Sequence, residues 1–317
     1  MTAGTPNPPL APVESFGDRL TSVVAARASQ IVLGLDPDPA HLWPAALGAA
    51  GPGGASVAER AAQAVAVHCR LAIEAAGEHC VAVKLQVACF ERLGAPGWAA
   101  LAEAARSARE AGLLVIADAK RGDIGVSAAA YAQALLAETP TPFGVVPGLG
   151  ADALTVNPLL GLDSLEPFVS AARPRGRGLF VLVRTSNPGA ADVQERALAG
   201  GEAVSDRLAD LVAELGGTGV GGAGLSDVGA VVGATAPERL EALRARMPRA
   251  VFLLPGVGAQ GARVEGLGAA FAPGPAAGLI PVSRGIVDAY ERSGADPAAA
   301  AREEAARLRE LAWSLWS

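Results

Sequence analysis

Two lysines carry the first chemical signal in this chain of 317 residues. Among its 26 lysine and arginine residues, only Lys84 and Lys120 are lysines. A lysine offers a compact ammonium with a transferable proton, which the guanidinium of arginine cannot supply. Both positions are therefore candidates for proton transfer, although two lysines could also be the remainder of a biased base composition.

Lys120 lies in the densest charged segment of the chain, DAKRGD (118–123). Because side chains two positions apart on a strand share a face, Asp118 and Lys120 are predicted to point the same way. A carboxylate and an ammonium at the end of a buried strand indicate function, since packing does not require them. Asp123 is displaced onto a loop or first helical turn, where it could instead cap the following helix.

Glycine-rich segments near the carboxyl terminus predict a site for an anion. Backbone N–H groups could approach a phosphate in two segments, PGVGAQG (255–261) and SRGI (283–286). The guanidinium of Arg284 would make bidentate hydrogen bonds to the phosphate, and Gln260 would be a neutral donor. The pattern G-x-G-x-x-G at 256–261 does not indicate a dinucleotide site, because that fingerprint belongs to a first βα unit. A turn that only connects two elements is the alternative.

The elements that must position these residues alternate regularly along the chain. Short runs rich in valine, isoleucine and leucine occupy 31–36, 80–86, 113–118, 153–157, 179–184, 228–233, 250–254 and 278–283. The apolar residues between these runs recur at the spacing of a helix, which predicts helices at 56–77, 97–111, 125–138, 162–172, 191–215, 237–247, 262–270 and 285–293. Eight buried strands alternating with helices predict a (β/α)8 barrel, with an open doubly wound sheet as the alternative.

The segments outside this alternation are assigned from composition. Residues 1–12 are predicted to be a disordered tail, and 13–317 a single barrel domain with extra helices at 15–28 and 296–315. The glycine-rich segment 216–227 is predicted to be a flexible loop that leads into the sixth strand.

Polar residues collect at the predicted carboxyl ends of the strands, where the loops of a barrel converge on one mouth. They are Asp36, Lys84, Asp118, Lys120, Asn157, Thr185, Ser186, Asn187 and Arg284. The barrel interpretation therefore predicts one charged site built from most of the strands.

Composition excludes several classes of function. The chain is 51% hydrophobic, with a net charge of −6, so it can bury a large core and lacks the basic balance of a protein that binds nucleic acid or anionic membranes. It has no uncharged apolar run of 18 residues. With three cysteines it cannot form a disulfide framework, which favours a cytoplasmic location.

The histidines and cysteines do not predict a metal site. His68-Cys69, His79-Cys80 and Cys89 match no zinc spacing, and the first pair lies inside a helical stretch. Structural burial is the favoured interpretation.

The ordered motifs resemble those of the orotidine 5′-phosphate decarboxylase family, specifically its longer bacterial subfamily, over roughly residues 30 to 290. They are GLDPDP (34–39), VKLQVACFE (83–91), DAKRGDIGVSAAAYA (118–132), TVNPLLG (155–161), RTSNPGA (184–190), VVGAT (231–235), PGVGAQG (255–261) and SRGI (283–286). The resemblance implies a barrel of the ribulose-phosphate-binding type. It also implies decarboxylation of orotidine 5′-monophosphate to uridine 5′-monophosphate in pyrimidine biosynthesis, without metal or cofactor.

The resemblance also implies the roles of individual residues. The catalytic array is Lys84, Asp118, Lys120 and Asp123, with Lys120 as the proton donor to C6. The substrate-binding residues are Asp36, Ser127, Ser186, Asn187, Gln260, Arg284 and Gly285. A homodimer is implied, in which Asp123 and Ser127 complete the site of the other subunit.

Two positions depart from the family pattern, and related barrels offer alternatives. Ser127 stands where threonine is usual, and Leu85-Gln86 stands where Pro-Gln is usual. Magnesium-dependent barrels that share Asp-x-Lys-x-x-Asp have an acidic ligand where this chain has Lys84. A Schiff-base aldolase and a barrel that only binds a nucleotide are the other hypotheses.

Overall fold

The computed structural model describes residues 13–50, 55–258 and 261–316. The predicted disordered tail, 1–12, lies outside the described residues, as does Gln260. The strands are β1 Ile31–Leu35, β2 Ala82–Gln86, β3 Leu114–Arg121, β4 Glu138–Thr141, β5 Gly144–Pro147, β6 Ala153–Val156, β7 Gly178–Arg184, β8 Val228–Val232, β9 Phe252–Leu253 and β10 Gly278–Val282.

Eight of these strands form a closed parallel barrel in the order β1-β10-β9-β8-β7-β6-β3-β2. The order confirms the predicted (β/α)8 barrel and excludes the open doubly wound sheet. Every residue of β1, β6, β8 and β10 is buried, as expected for strands covered on both faces. The parallel pairing places Gln86 of β2 beside Asp118 of β3, so the charged ends of these strands are adjacent.

The helices surround the barrel. They are α1 Phe16–Arg27, α2 Pro44–Ala49, α3 Val57–Ala76, α4 Val87–Glu91, α5 Ala95–Glu110, α6 Gly125–Leu136, α7 Leu162–Ala172, α8 Ala190–Val193, α9 Val204–Gly216, α10 Leu240–Arg246, α11 Arg284–Val287, α12 Ala289–Ser293 and α13 Pro297–Trp313. In the described part of the chain, no helix is long and apolar enough to cross a membrane.

Several predicted helices differ from the structure. The helix predicted over 191–215 is divided into α8 and α9, and an antiparallel bridge joins Ala197 to Ala203 between them. The helix predicted over 262–270 is a 3-10 helix, Val264–Phe271, and the one over 285–293 is divided into α11 and α12. Hydrophobic spacing does not distinguish a continuous helix from such short or tighter segments.

The antiparallel hairpin of β4 and β5 was not predicted. Its strands contain Pro140 and Pro147, and proline is unfavourable inside a sheet because it cannot donate to the hydrogen-bond ladder. Thr141 closes the turn, since its hydroxyl donates to the carbonyl of Gly144. The preceding helix consequently ends at Leu136, before its predicted end at 138.

Helix α1 closes the amino-terminal end of the barrel. Its buried face, Phe16, Leu20 and Val24, packs into one apolar cluster with the side chains that fill the barrel interior. Phe16 meets the ring of Phe180 edge to face at 6.0 Å. The opposite end of the barrel therefore remains as the open end.

Helix α1 also holds the glycine-rich segment 216–227. This segment leads into β8 as predicted, but the carboxylate of Asp18 accepts hydrogen bonds from the backbone N–H groups of Gly222 and Ala223. A bridge between Val220 and Ser226 adds a second restraint. The segment is thus fixed by hydrogen bonds, which glycine content alone did not indicate.

The His68-Cys69 pair is buried in α3, as the structural interpretation predicted. His68 Nδ1 accepts a hydrogen bond from the backbone N–H of Trp43 at 3.2 Å. Burial lowers the pKa of His68 to about 4, so the imidazole is neutral at pH 7. Among the described residues, no group of three or more His, Cys, Asp or Glu side chains is arranged to hold a metal ion.

Candidate active site

A pocket of about 410 Å³ opens at the carboxyl ends of the barrel strands. Eight of the predicted site residues line it: Asp36, Lys84, Asp118, Lys120, Ser186, Asn187, Arg284 and Gly285. Gln86, Thr155, Thr185, Val231, Leu253, Pro255, Gly256, Val257, Pro281 and Ser283 complete the lining. The structure therefore brings together most of the residues that the barrel interpretation placed at one mouth.

Asp118 is the centre of the charged cluster, and it is buried. Its Oδ1 lies 2.5 Å from Lys120 Nζ, and its Oδ2 lies 2.7 Å from Lys84 Nζ. Lys84 Nζ is also 3.5 Å from Asp36 Oδ1. One buried carboxylate thus holds two ammonium groups at fixed positions on the floor of the pocket.

The charges in this cluster stabilise one another. Burial alone would raise the pKa of Asp118, but Lys84 and Lys120 hold that pKa well below its usual range. Burial alone would lower the pKa of Lys84, but the carboxylates of Asp118 and Asp36 raise it above its ordinary value. Asp118 is therefore ionised and Lys84 is protonated at neutral pH.

The backbone at Lys120 departs from a regular strand. Lys120 has φ of +49°, a left-handed conformation that costs a non-glycine residue about 1–2 kcal/mol. The pairing of β3 with β6 shifts register between Ala117 and Arg121, so Lys120 lies at an irregularity. Lys120 and Asp118 are in contact as predicted, but this contact depends on the irregular backbone at Lys120 as well as on strand alternation.

The loop after β7 carries Ser186 and Asn187 to the pocket. Gly233 permits this approach, because a Cβ on it would lie only 2.7 Å from Ser186 Cα. The hydroxyl of Thr235 donates to the Ser186 carbonyl, and Thr185 donates to Asn187 Oδ1. Donors and acceptors at this edge of the pocket are thus held in place by neighbouring loops.

The loops after β9 and β10 form the opposite edge. Gly256 and Gly258 have φ of +113° and +78°, conformations that favour glycine, so the glycine pattern is required by this turn. Arg284 and the backbone of Gly285 line the pocket from the start of α11. The position predicted for Gln260 falls in this loop but lies outside the described residues.

Asp123 and Ser127 are not among the residues that line the pocket of the single chain. Asp123 Oδ1 accepts a hydrogen bond from the N–H of Ile124, while Ser127 is exposed on α6. The capping interpretation of Asp123 is wrong, because Ile124 occupies the N-cap of α6 and no side chain caps it.

Two pocket residues were missed by sequence reasoning. Gln86 Nε2 donates to Asp118 Oδ2 at 3.2 Å, and the hydroxyl of Thr155 lies 2.9 Å from Asp118 Oδ1. Thr155 stands two residues before Asn157, which was singled out as the polar strand end. The Asn157 Oδ1 instead accepts a hydrogen bond from Leu159 N–H, so it stabilises its own turn.

The fold and the pocket define a (β/α)8 barrel enzyme with a Lys-Asp-Lys cluster at the carboxyl ends of its strands. The model of the orotidine 5′-phosphate decarboxylase / HUMPS family matches residues 29–303. The chain belongs to this family, as the sequence motifs indicated.

Individual relatives agree with this assignment. The chain is 47% identical over 239 residues to an orotidine 5′-phosphate decarboxylase of Deinococcus radiodurans, covering 75% of this chain and 81% of the relative. It is 40% identical over 285 residues to one of Rhodopirellula baltica, covering 88% and 90%. The solved structure of Leishmania donovani OMP decarboxylase superposes with a TM-score of 0.69 at 34% identity, covering 94% of this chain and 99% of that one.

Proposed function

We propose that this protein decarboxylates orotidine 5′-monophosphate to uridine 5′-monophosphate, a step of pyrimidine biosynthesis, without metal or cofactor. The observation that carries the proposal is the buried Asp118 carboxylate, which holds the Lys84 and Lys120 ammonium groups within 2.7 Å in the pocket. Family membership and the printed names of the relatives supply the substrate. The three free cysteines fit a reducing cytoplasm.

Lys120 is assigned as the proton donor. Loss of CO2 breaks the bond between C6 and the carboxylate carbon and leaves the electron pair on C6, where the ring cannot delocalise it. An ammonium beside C6 stabilises this negative charge and then transfers one proton to it. The Lys120 amine regains its proton from solvent before the next turnover.

Asp118 orients Lys120 through their ion pair at 2.5 Å, and it would stand near the carboxylate of the bound substrate. Negative charge on both groups disfavours the bound substrate relative to a transition state that is losing CO2. The same ion pairs argue against imine formation, because a Schiff base requires a neutral amine.

The remaining pocket residues are assigned to binding. Asp36 and Lys84 would hold the ribose, and Ser186, with Asn187 beside it, the amide edge of the pyrimidine. Arg284, with the backbone N–H of Gly285 and the predicted donor Gln260, would bind the phosphate. Binding energy from this remote group can organise the reacting end of the substrate.

The position of Lys84 supports a reaction without a metal. In the related magnesium-dependent barrels an acidic ligand stands at this place in the second strand. Here the Lys84 ammonium lies between Asp118 and Asp36, at 2.7 and 3.5 Å, so a protein cation already neutralises the carboxylates that a metal would require.

The test is a spectroscopic assay with purified protein that has been treated with EDTA. We expect rapid loss of the orotate absorbance on adding orotidine 5′-monophosphate, at a rate that magnesium does not change. A requirement for magnesium would overturn the metal-free mechanism. If no reaction occurs under either condition while uridine 5′-monophosphate still binds, the protein is a barrel that binds a nucleotide without catalysing decarboxylation.

We also propose that the protein acts as a homodimer in which Asp123 and Ser127 complete the partner's site. Both lie on the segment that begins α6, outside the pocket of their own chain. Their neighbours Ile124 and Val126 are apolar yet 58% and 87% exposed. Exposed apolar side chains with polar residues around them are typical of an interface between subunits.

Mixing two inactive variants tests this arrangement. Lys120→Ala and Asp123→Asn would each inactivate a homodimer, but a mixed dimer has one site with both residues intact. We therefore expect the mixture, after subunit exchange, to regain about one quarter of the wild-type turnover, since half of the dimers are mixed and each has one active site. Turnover no greater than that of the separate variants would place Asp123 in the site of its own chain or outside the site.

A further inference from the structure

The left-handed backbone at Lys120 must be held by neighbouring groups. A non-glycine residue with φ of +49° persists only where its surroundings favour that conformation. The backbone N–H of Lys120 donates a hydrogen bond to Thr155 Oγ1 at 2.9 Å. Thr155 is 1% exposed and lies in β6, the strand next to β3. The contact therefore joins the irregular residue to a rigid, buried strand.

The same hydroxyl also contacts Asp118, and its single proton fixes the direction of both bonds. The ionised Asp118 carboxylate can only accept, so Thr155 Oγ1 donates to Asp118 Oδ1, at 2.9 Å. A lone pair of Oγ1 accepts from the Lys120 N–H. One threonine hydroxyl thus links the carboxylate and the backbone that carries the ammonium.

We propose that Thr155 is a positioning residue, whose hydroxyl sets the conformation of Lys120 and so places Lys120 Nζ against Asp118 in the pocket. The inference rests on the decarboxylation proposed above. Lys120 Nζ and Thr155 Oγ1 both bond to Oδ1, while Lys84 Nζ and Gln86 Nε2 both bond to Oδ2. Thr155 therefore restrains the side of the carboxylate that faces the proton donor.

The decisive variant is Thr155→Val, which keeps the shape of the side chain and removes the hydroxyl. The variant removes the acceptor of the Lys120 N–H, so the peptide group before Lys120 can reorient and the residue can leave the left-handed region. A displacement of the ammonium by about 1 Å is enough to lower kcat by about 100-fold. We expect the KM and the affinity for uridine 5′-monophosphate to change little, because the phosphate and ribose contacts remain.

Two further variants separate this role from general stability. Thr155→Ser keeps the hydroxyl, so it is expected to restore most of the wild-type kcat. Thr21→Val is the matched control, since the Thr21 hydroxyl donates to the Gly17 carbonyl within α1, at the far end of the barrel. The control should leave kcat unchanged.

The outcomes distinguish this inference from the proposed function. A wild-type kcat in Thr155→Val, or equal losses in the Ser and Val variants, would overturn the positioning role. A loss confined to KM would make Thr155 a substrate contact instead. A crystal structure of Thr155→Val gives a readout that does not require activity. Lys120 retaining positive φ there would overturn the inference, even if the wild-type protein decarboxylated nothing.

Discussion

Replacing Lys120 with alanine is expected to abolish decarboxylation while leaving the binding of uridine 5′-monophosphate measurable. The substitution removes both the charge that stabilises the C6 carbanion and the proton that quenches it. Electrostatic stabilisation and general acid catalysis together give an expected loss of about 10⁵-fold in kcat. The fold should persist, because the Lys120 side chain is partly exposed and Asp118 keeps its bond to Lys84.

Lys120→Arg separates the two contributions. Arginine retains the positive charge but does not readily give up a proton. We expect its turnover to remain far below wild type, since protonation of C6 is still impaired. Steady-state assays measure the turnover of both Lys120 variants, and equilibrium titrations measure their affinity for uridine 5′-monophosphate. If Lys120→Ala still turns over at a rate near wild type, another group is the proton donor.

Replacing Asp118 with asparagine is the second change with a large expected effect. The amide cannot neutralise two ammonium groups, so Lys84 stays buried with only Asp36 near it, at 3.5 Å. Breaking a buried ion pair by removing one partner costs about 3–5 kcal/mol of the free energy of unfolding. The loss of Lys120 orientation should lower kcat by about 10³-fold.

The pH dependence of unfolding tests the origin of this stability. The pKa of folded Asp118 lies below its unfolded value, so its contribution is present above about pH 4 and is lost as the pH falls toward the folded pKa. The free energies of unfolding of wild type and Asp118→Asn, measured with denaturant, should therefore differ most at pH 7. This difference should become smaller below pH 4. A constant difference would assign the loss to packing.

The sequence predicted the barrel and much of its pocket because both depend on strong, regular patterns. Buried β-branched runs alternating with helices define the order of elements, and the polar residues that interrupt them mark strand ends. Asp36, Lys84 and Asp118 were therefore placed correctly around one pocket. The roles assigned to them remain predictions.

The remaining features depend on contacts that local patterns do not contain. Thr155 is an ordinary residue for a strand, and its importance arises only because β6 lies beside the irregular end of β3. The proline-rich hairpin forms against local preference, since Gly148 N–H bonds back to the Ala137 carbonyl at the end of α6. Such interactions are set by tertiary structure.

The helix that closes the amino-terminal end of the barrel has a consequence for the order of folding during synthesis. Helix α1 is synthesised before all the barrel strands, but Phe16 packs against Phe180, and the same cluster includes Leu279 of β10. Its apolar face therefore stays partly uncovered until β10 has been synthesised. We expect the nascent chain to need protection from aggregation over this interval, since contacts between distant residues form late.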